Sequence, residues 1–465
     1  MRITVLNGSP KGAKSVTMQY VEWLKIRNPE HSFITINVAQ KAATSRGLDE
    51  ALDTFAKECA ETELVLFAFP LYYLLVHGNY KRFIERLFER RNSLVLSGKY
   101  AASLSTSINF YDHTAHNYIR GIAEDLGMRF AGSFSANMDD LKKKSNRMKL
   151  ASFFDLVVAA TASKRQVPRA NAEFTKHPLL YQPAPVVQKV DTKGKSVCVI
   201  SDVTAEDRNL HSMIDRFRDS FSAPITVVNL HDVDIKGGCL GCIHCGQDNR
   251  CAWDGKDGFI EFYRSHVMTA DILILAGTIR DRYLSSLWKT FMDRSFFLTH
   301  QPKLNGRQAG FLIAGPLQQI ANLRELLTAQ IECNDTNLVD FVTDEAESSA
   351  ELDAAISGFA QSAVDQALAG YIQPKTFRGI AGIKLFRDEM FSNLRFAFSA
   401  DHRFYRKHGY YDFPNRKYWL VCANNLLIFA ARVVPGFKAW FQKKTIDGML
   451  MPFKPLLEKA RMENR

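Results

Sequence analysis

The chain has 465 residues, 46% of them apolar and 23% charged, and a formal net charge of +11. That length exceeds what one hydrophobic core supports, so two or three globular domains are expected. The charge is uneven. Residues 375–465 hold nine Lys and nine Arg against seven acidic residues, and the remainder is balanced, which argues against a nucleic-acid partner for the whole protein. The best apolar run, Leu420 to Val434, is 15 residues long and contains Asn424, Asn425 and Arg432, too short and too polar to span a membrane. The chain opens directly into a strand pattern without a charged-then-apolar leader, so a cytoplasmic address with reduced thiols is expected.

Arg2 to Leu6 reads as a buried strand, and Val16 to Lys25 as a helix with apolar residues at Val16, Tyr20, Val21 and Leu24. Between them lies Asn7-Gly-Ser-Pro-Lys-Gly-Ala-Lys-Ser15. A strand, a loop of small residues and a helix start together offer backbone N–H groups and a positive helix end to a phosphate. Ser9, Ser15 and Thr17 add hydroxyls, and Lys11 and Lys14 add charge. The Rossmann pattern G-x-G-x-x-G is absent. A Walker A loop is nearly present, but Ala13 stands where its second glycine belongs and the next strand lacks an acidic residue for magnesium, which leaves a P-loop hydrolase as the third reading.

Further strands are expected at Ser32–Val38, Glu63–Phe69, Lys99–Ser105 and Met128–Ser133, with helices near Leu48–Cys59, from Gly78 onward, and His113–Leu126. Alternation of this kind predicts a parallel sheet covered on both faces, with ligands at the carboxyl ends of its strands. Loops 7–17, 70–76 and 105–112 occupy those ends.

The opening loop, together with Phe69-Pro-Leu-Tyr72, Gly78 and Lys81-Arg-Phe-Ile-Glu-Arg86, resembles the flavodoxin-like NAD(P)H-dependent FMN reductases. The resemblance implies FMN as cofactor, NAD(P)H as co-substrate and an electron acceptor, either a small molecule or a redox protein. It implies that Ser9, Pro10, Lys11, Lys14, Ser15 and Thr17 hold the phosphate without a metal. Pro70, Leu71, Tyr72 and Tyr73, with Thr106, Ser107, Asn109 and Phe110, would then flank the flavin ring. No side chain need act as acid or base in hydride transfer to a flavin, so no catalytic residue is named.

Residues 163–194, with Pro168, Pro178, Pro183 and Pro185, read as a linker between a first domain at 1–162 and a second at 195–372. The pattern then repeats. Ser196–Ile200 restarts a strand, Thr269–Ala276 restates Thr62–Phe69, and Tyr80–Arg86 returns as Trp288–Arg294 at an offset of 208. First strands align at an offset of about 194, so the second copy holds about 14 extra residues between its first and third strands. The extra stretch carries Cys239, Cys242, Cys245 and Cys251, spaced C-x2-C-x2-C-x5-C. Such spacing fits a [4Fe-4S] cluster and resembles the iron–sulfur flavoproteins of the same family; an empty or redox-active thiol loop and a zinc site are the alternatives. The other cysteines, Cys59, Cys198, Cys333 and Cys422, read as core thiols. The second copy's first loop, Ser201–Arg208, has three acids and no glycine, and 277–283 lacks Pro-x-Tyr, so a second FMN is not expected.

The chain is therefore read as α/β: two tandem flavodoxin-like doubly wound parallel sheets, followed at 373–465 by a basic, aromatic-rich, mainly helical tail. Residues Asp401–Pro414 mix basic and aromatic side chains. A helical cap on the α/β domains is the simplest role for this tail; peripheral contact with an anionic membrane is the next. Relatives of this kind often pair, so either a homo-oligomer or a pair imitated by the two fused copies is expected. The main function expected is an FMN-dependent oxidoreductase. The runner-up is a non-catalytic flavin/iron–sulfur electron carrier.

Overall fold

The computed structural model describes residues 1–90, 96–175, 179–412, 418–451 and 454–463; Pro178, Phe413 and Pro414 lie outside them. It contains two five-stranded parallel sheets. The first comprises β1 (Arg2–Asn7), β2 (Ser32–Ile36), β3 (Leu64–Pro70), β4 (Tyr100–Ser107) and β5 (Arg129–Asn137) in the order β2-β1-β3-β4-β5. The second comprises β6 (Val197–Ser201), β7 (Thr226–Asn229), β8 (Ile272–Thr278), β9 (Gln308–Ala314) and β10 (Asn337–Thr343) in the order β10-β9-β8-β6-β7, the same winding read from the other edge. Runs such as Leu-Val-Leu-Phe-Ala-Phe at 64–69 are buried along their whole length because helices cover both faces of the sheet.

The helices around the first sheet are α1 (Val16–Arg27), α2 (Ser45–Cys59), α3 (Gly78–Glu89), α4 (Asp112–Asp125) and α5 (Lys144–Ala162). Around the second are α6 (Arg208–Asp219), α7 (Ser286–Ser295), α8 (Ala321–Cys333) and α9 (Ser349–Ala369). The second strand is shorter than its apolar pattern: it stops at Ile36, and buried Val38 begins a helical turn. Ile3 faces Leu64, 61 residues on, and Val197 faces Ile272, 75 residues on, so strand register gives the second copy 14 extra residues.

The two copies meet through α3 and α7, and here the offset of 208 becomes physical. Gly78 N–H at the start of α3 donates to Asp293 Oδ2 on α7 at 2.7 Å, and Ser286 N–H at the start of α7 donates to Glu85 Oε1 on α3 at 2.7 Å. Gly78 corresponds to Ser286 and Glu85 to Asp293, so the contact is reciprocal. Each carboxylate satisfies an unpaired N–H at the positive end of the opposite helix. Each is also paired on its own helix to a fully buried lysine, Lys81 with Glu85 and Lys289 with Asp293. Lys81 gains a second partner across the seam, Asp281 Oδ2 at 3.0 Å. Helix approach at this seam needs Gly78, where an added Cβ would stand 2.8 Å from Thr290 Oγ1. A further cross-copy clamp joins Arg282 to Asp125 at 2.6 Å.

Residues 163–196 hold no helix or strand among those described, yet they are tied down: Glu124 accepts from the N–H groups of Ala170 and Asn171, and buried Tyr181 donates to Asp353 at 2.6 Å. Beyond α9, α10 (Phe377–Phe391) packs on α8, and α11 (Ser399–Lys407) follows. The contacts divide the chain into one compact unit, Met1–Tyr405, and another, Arg406–Arg465. The second unit holds α12 (Tyr418–Val433), α13 (Phe437–Leu450) and α14 (Lys454–Glu463). No helix among the described residues is long and apolar enough to cross a membrane.

At the carboxyl end of the second sheet the loops satisfy one another. Asp207 accepts from Thr204 N–H and Oγ1 and from Arg280 Nη2 at 2.7–2.9 Å. Asp202, buried beneath them, accepts from Ser285 Oγ, and burial pushes its carboxyl up to about 6.

Two predictions follow from these buried charges. Asp293→Ala leaves Lys289 uncompensated and the Gly78 N–H unpaired, and should destabilise the chain by about 3–5 kcal/mol in denaturant unfolding, whereas Lys289→Met combined with Asp293→Asn should cost much less; equal losses would contradict this account of the seam. A carboxyl raised in the folded state contributes stability that is fully present below its unfolded pKa and is lost as pH rises through its folded pKa. Asp202→Asn should therefore stabilise the protein by on the order of 2 kcal/mol at neutral pH, with the gain vanishing near about pH 4. A gain that does not change with pH would refute it.

Candidate functional site

A cavity of about 420 Å³ opens at the carboxyl ends of the first sheet's strands. That volume falls in the range of small-molecule sites. Loop 7–17 contributes Ser9, Lys11, Lys14 and Ser15; loop 70–76 contributes Pro70, Leu71, Tyr72 and Tyr73; loop 105–112 contributes Thr106, Ser107 and Phe110. Eleven of the fourteen residues expected for FMN thus share one cavity. Pro10, Thr17 and Asn109 are not on its wall. Thr17 is buried behind the loop, where its hydroxyl shares a 2.6 Å hydrogen bond with Thr106 and ties the first loop to the third. Asn109 takes a left-handed backbone (φ 61°), and its N–H donates to Ser107 Oγ at 2.8 Å, shaping that loop.

The phosphate-type end is built on α1. Ser15 is its N-cap, accepting from Met18 N–H, and Ser15 and Val16 both line the cavity, so the first turn of a twelve-residue helix opens onto it. Ser9 Oγ accepts from Lys11 N–H at 3.2 Å and Asn7 Oδ1 accepts from Ser9 N–H at 3.0 Å, fixing the loop before the helix. The other walls are apolar and aromatic. Tyr73 and Leu74, like Asn109 and Tyr111, have positive φ despite carrying side chains, so both flanking loops store backbone strain at the cavity rim. Burial pushes the phenols of Tyr72 and Tyr73 up, which keeps them neutral.

The fourth wall comes from the second copy. Cys239, Cys242, Cys245 and Cys251 all line the same cavity. Gly241, at φ +62°, lies so close to the first copy that an added Cβ would stand 2.0 Å from Tyr72 Oη and 3.1 Å from Lys11 Cε. His77 joins the copies here: its Nδ1 accepts from Asn79 N–H at 3.1 Å, so its Nε2 carries the proton and donates to Cys239 O at 2.7 Å. Burial lowers the His77 pKa, consistent with that neutral tautomer. The insertion is held at its base by Arg294, fully buried, which donates to Gly237 O at 2.7 Å and forms a two-bond pair with Asp257 at 2.8–2.9 Å.

The four cysteines surround a common space without closing on it. Cys245 lies within electrostatic reach of Cys239, Cys242 and Cys251, yet among the described residues no three His, Cys, Asp or Glu side chains converge to hold a metal ion. Burial pushes the thiols of Cys239 and Cys245 up to about 12, so as thiols they are protonated and poorly nucleophilic at neutral pH. As they stand, they do not fit a cluster or a zinc ion. All eight cysteines are free.

Several wall residues carried no sequence signal. Cys333, read as a core thiol, lines the cavity from the last residue of α8, whereas Cys59 and Cys198 are buried as expected and Cys422 is exposed. Phe386, Leu394 and Phe398 close the cavity from α10 and the segment after it. His300, also on the wall, sits between Phe386 (tilted, ring centroids 4.4 Å apart) and Phe398 (edge-on, 4.9 Å), and its Nδ1 pairs with Asp401 at 2.7 Å. Asp401 is fully buried and also accepts from Thr299 Oγ1 and Gln301 Nε2, so one carboxylate locks α11 against the second copy. The sequence shows that α10 is rich in apolar residues; only the folded chain shows that Phe386 faces the cavity.

Comparison with known proteins comes down to the fold. The family model described as flavodoxin-like fold matches residues 1–152. No curated relative matches. Similar solved structures include an FMN-dependent NADH-azoreductase from Bacillus anthracis, crystallised with FMN (13% identity, 35% of this chain and 99% of that one, TM-score 0.27). Others are the apo form of an NADH:FMN oxidoreductase (19%, 36% and 94%, 0.28) and general stress protein 14 with FMN from Treponema denticola (10%, 35% and 99%, 0.26). Each spans nearly its whole length on about a third of this chain. Residues 1–152 thus match the model of a flavodoxin-like fold, and the chain carries two five-stranded parallel sheets wound in the same order.

Proposed function

We propose that the protein is an FMN-dependent oxidoreductase that takes hydride from NAD(P)H and passes electrons to an acceptor. One observation carries this reading: the three loops at the carboxyl ends of the first sheet converge on a single cavity, with a hydroxyl- and lysine-lined helix start at one end and aromatic walls at the other. The residues suit the cofactor. Ser9, Ser15, Lys11, Lys14 and the first turn of α1 match the needs of a phosphate dianion, and Tyr72, Tyr73 and Phe110 match those of a flat aromatic ring. When bound, FMN supplies hydride acceptance and onward electron passage. The chain's own work is to neutralise the phosphate, fix the ring between the loops at 70–76 and 105–112, and exclude water with Phe386 and Phe398. Pro10, Thr17 and Asn109 act in this reading by shaping loops.

The cysteine loop favours one refinement. Its approach to Tyr72 and Lys11 puts four thiols on the wall of the proposed flavin site, beside the ring, and this is what keeps the [4Fe-4S] and carrier readings as alternatives to test. The cysteines as they stand are not a ligand set, so no step is drawn through a cluster; iron and sulfide assays after anaerobic purification decide its presence. Free cysteines fit a reducing compartment such as the cytoplasm.

Lys11→Ala with Lys14→Ala should weaken FMN binding by about tenfold to a hundredfold in a fluorescence titration, from the loss of two charge-assisted contacts. FMN binding that is absent in the wild type, or unchanged in this variant, would refute the site; bound FMN without NADH or NADPH oxidation would leave the carrier reading. Gly241→Val forces a branched side chain at φ +62° into Tyr72 Oη and should lower FMN affinity or NAD(P)H oxidation at least several-fold. Gly255→Ala, in the same insertion at φ +71° with nothing within 4 Å, should not. Matching effects of the two would show general loop strain rather than contact between the copies.

A further inference from the structure

The unit Arg406–Arg465 is chemically unlike the rest of the chain. Its 60 residues hold twelve Lys and Arg against four acidic residues, a net +8 of the chain's +11. Its apolar side chains are outside rather than inside. On α12, Trp419, Leu426, Leu427, Ile428 and Phe429 are all exposed, Trp419 to 69% and Leu426 to 68%. At 100° per residue these positions point around the whole circumference of the helix. Asn424, Asn425 and Arg432 interrupt that apolar circumference without covering it, and exposed apolar surface of this extent lacks its cover. After the Pro435-Gly436 turn, α13 adds Phe437, Trp440 and Phe441, one cluster with ring centroids 5.6 and 6.3 Å apart, interleaved with Lys438, Lys443 and Lys444.

We infer that this unit docks on an anionic membrane surface. Three observations choose that occupant over another protein or a nucleic acid. The excess of positive charge complements anionic headgroups, since each basic side chain near such a surface is attracted to it. Trp419, Trp440 and Tyr418 have the amphipathic rings that settle at the headgroup level, and lysines beside them keep their ammonium groups in water while their stems lie on apolar surface. The 16 residues of α12 extend about 24 Å, short of the ~30 Å hydrocarbon core, so the helix lies within the interface instead of spanning it. A nucleic-acid backbone would use the charge but leave the apolar circumference of α12 uncovered.

The inference is independent of the flavin reading and is tested on the full chain. In co-sedimentation, the protein should bind phosphatidylcholine vesicles containing phosphatidylglycerol at least about tenfold more tightly than pure phosphatidylcholine vesicles, and salt should weaken that binding. Tryptophan fluorescence should shift to the blue and be quenched by brominated lipid. Leu427→Glu with Phe429→Glu should lower vesicle binding at least about tenfold, since charged side chains are costly in the apolar layer. An unchanged far-ultraviolet circular dichroism spectrum and thermal midpoint of the same variant serve as the control for folding. No binding to anionic vesicles at low salt, equal binding to both compositions, or self-association in sedimentation velocity that the double variant abolishes would each overturn the inference. Wild-type quenching by brominated lipid reads the same claim without any variant.

Discussion

The arrangement depends on one reciprocal contact: the carboxylates of Glu85 and Asp293, each accepting from the first N–H of the other copy's helix. Carboxylates alone would be costly in this place, since the seam is dry. Lys81 and Lys289 make it tolerable, and both are fully buried with their charges matched. This geometry sets how far and at what angle the two sheets stand. It therefore decides that the 14-residue insertion of one copy arrives over the loops of the other.

That delivery makes the cavity a joint product. Its phosphate-type end and its aromatic flanks are local to the first sheet. The remaining wall is assembled from the cysteine loop, from His300 locked by Asp401, and from α10. Left-handed, non-glycine residues occur in three of the loops that build it, at Tyr73 and Leu74, at Asn109 and Tyr111, and at Ile243. Strain concentrated in this way fits a site whose loops are shaped for a ligand rather than for their own comfort. At the corresponding end of the second sheet, Asp207, Arg280 and Thr204 bond to each other instead, and the polarity there is already spent.

Much of this was legible in the residues because the signals are local. Apolar runs ending at small-residue loops located β1 and β3, the match of Tyr80–Arg86 with Trp288–Arg294 exposed the duplication, and the difference between two offsets gave the insertion its length. What was not legible depends on contacts between distant segments. A lysine at a helical position reads as solvent-facing, so Lys81 and Lys289 gave no hint of a buried seam. Cys333 read as core because it stands apart from the clustered cysteines; it is on a cavity wall because α8 ends there. Phe386 and Phe398 belong to a segment whose composition says only that it packs somewhere. The cysteine spacing spoke for a metal centre, and the side chains as placed do not close into one.

Arg86 and Arg294 began as the same position. In the first copy Arg86 lies at the surface beside Glu89; in the second, Arg294 is enclosed and grips both ends of the inserted loop. A symmetric pair of separate subunits could not have made that change on one side only, because any substitution would appear twice. Within a single polypeptide that obligation is absent, so one half can carry a longer loop braced by this arginine while the other half keeps its arginine at the surface.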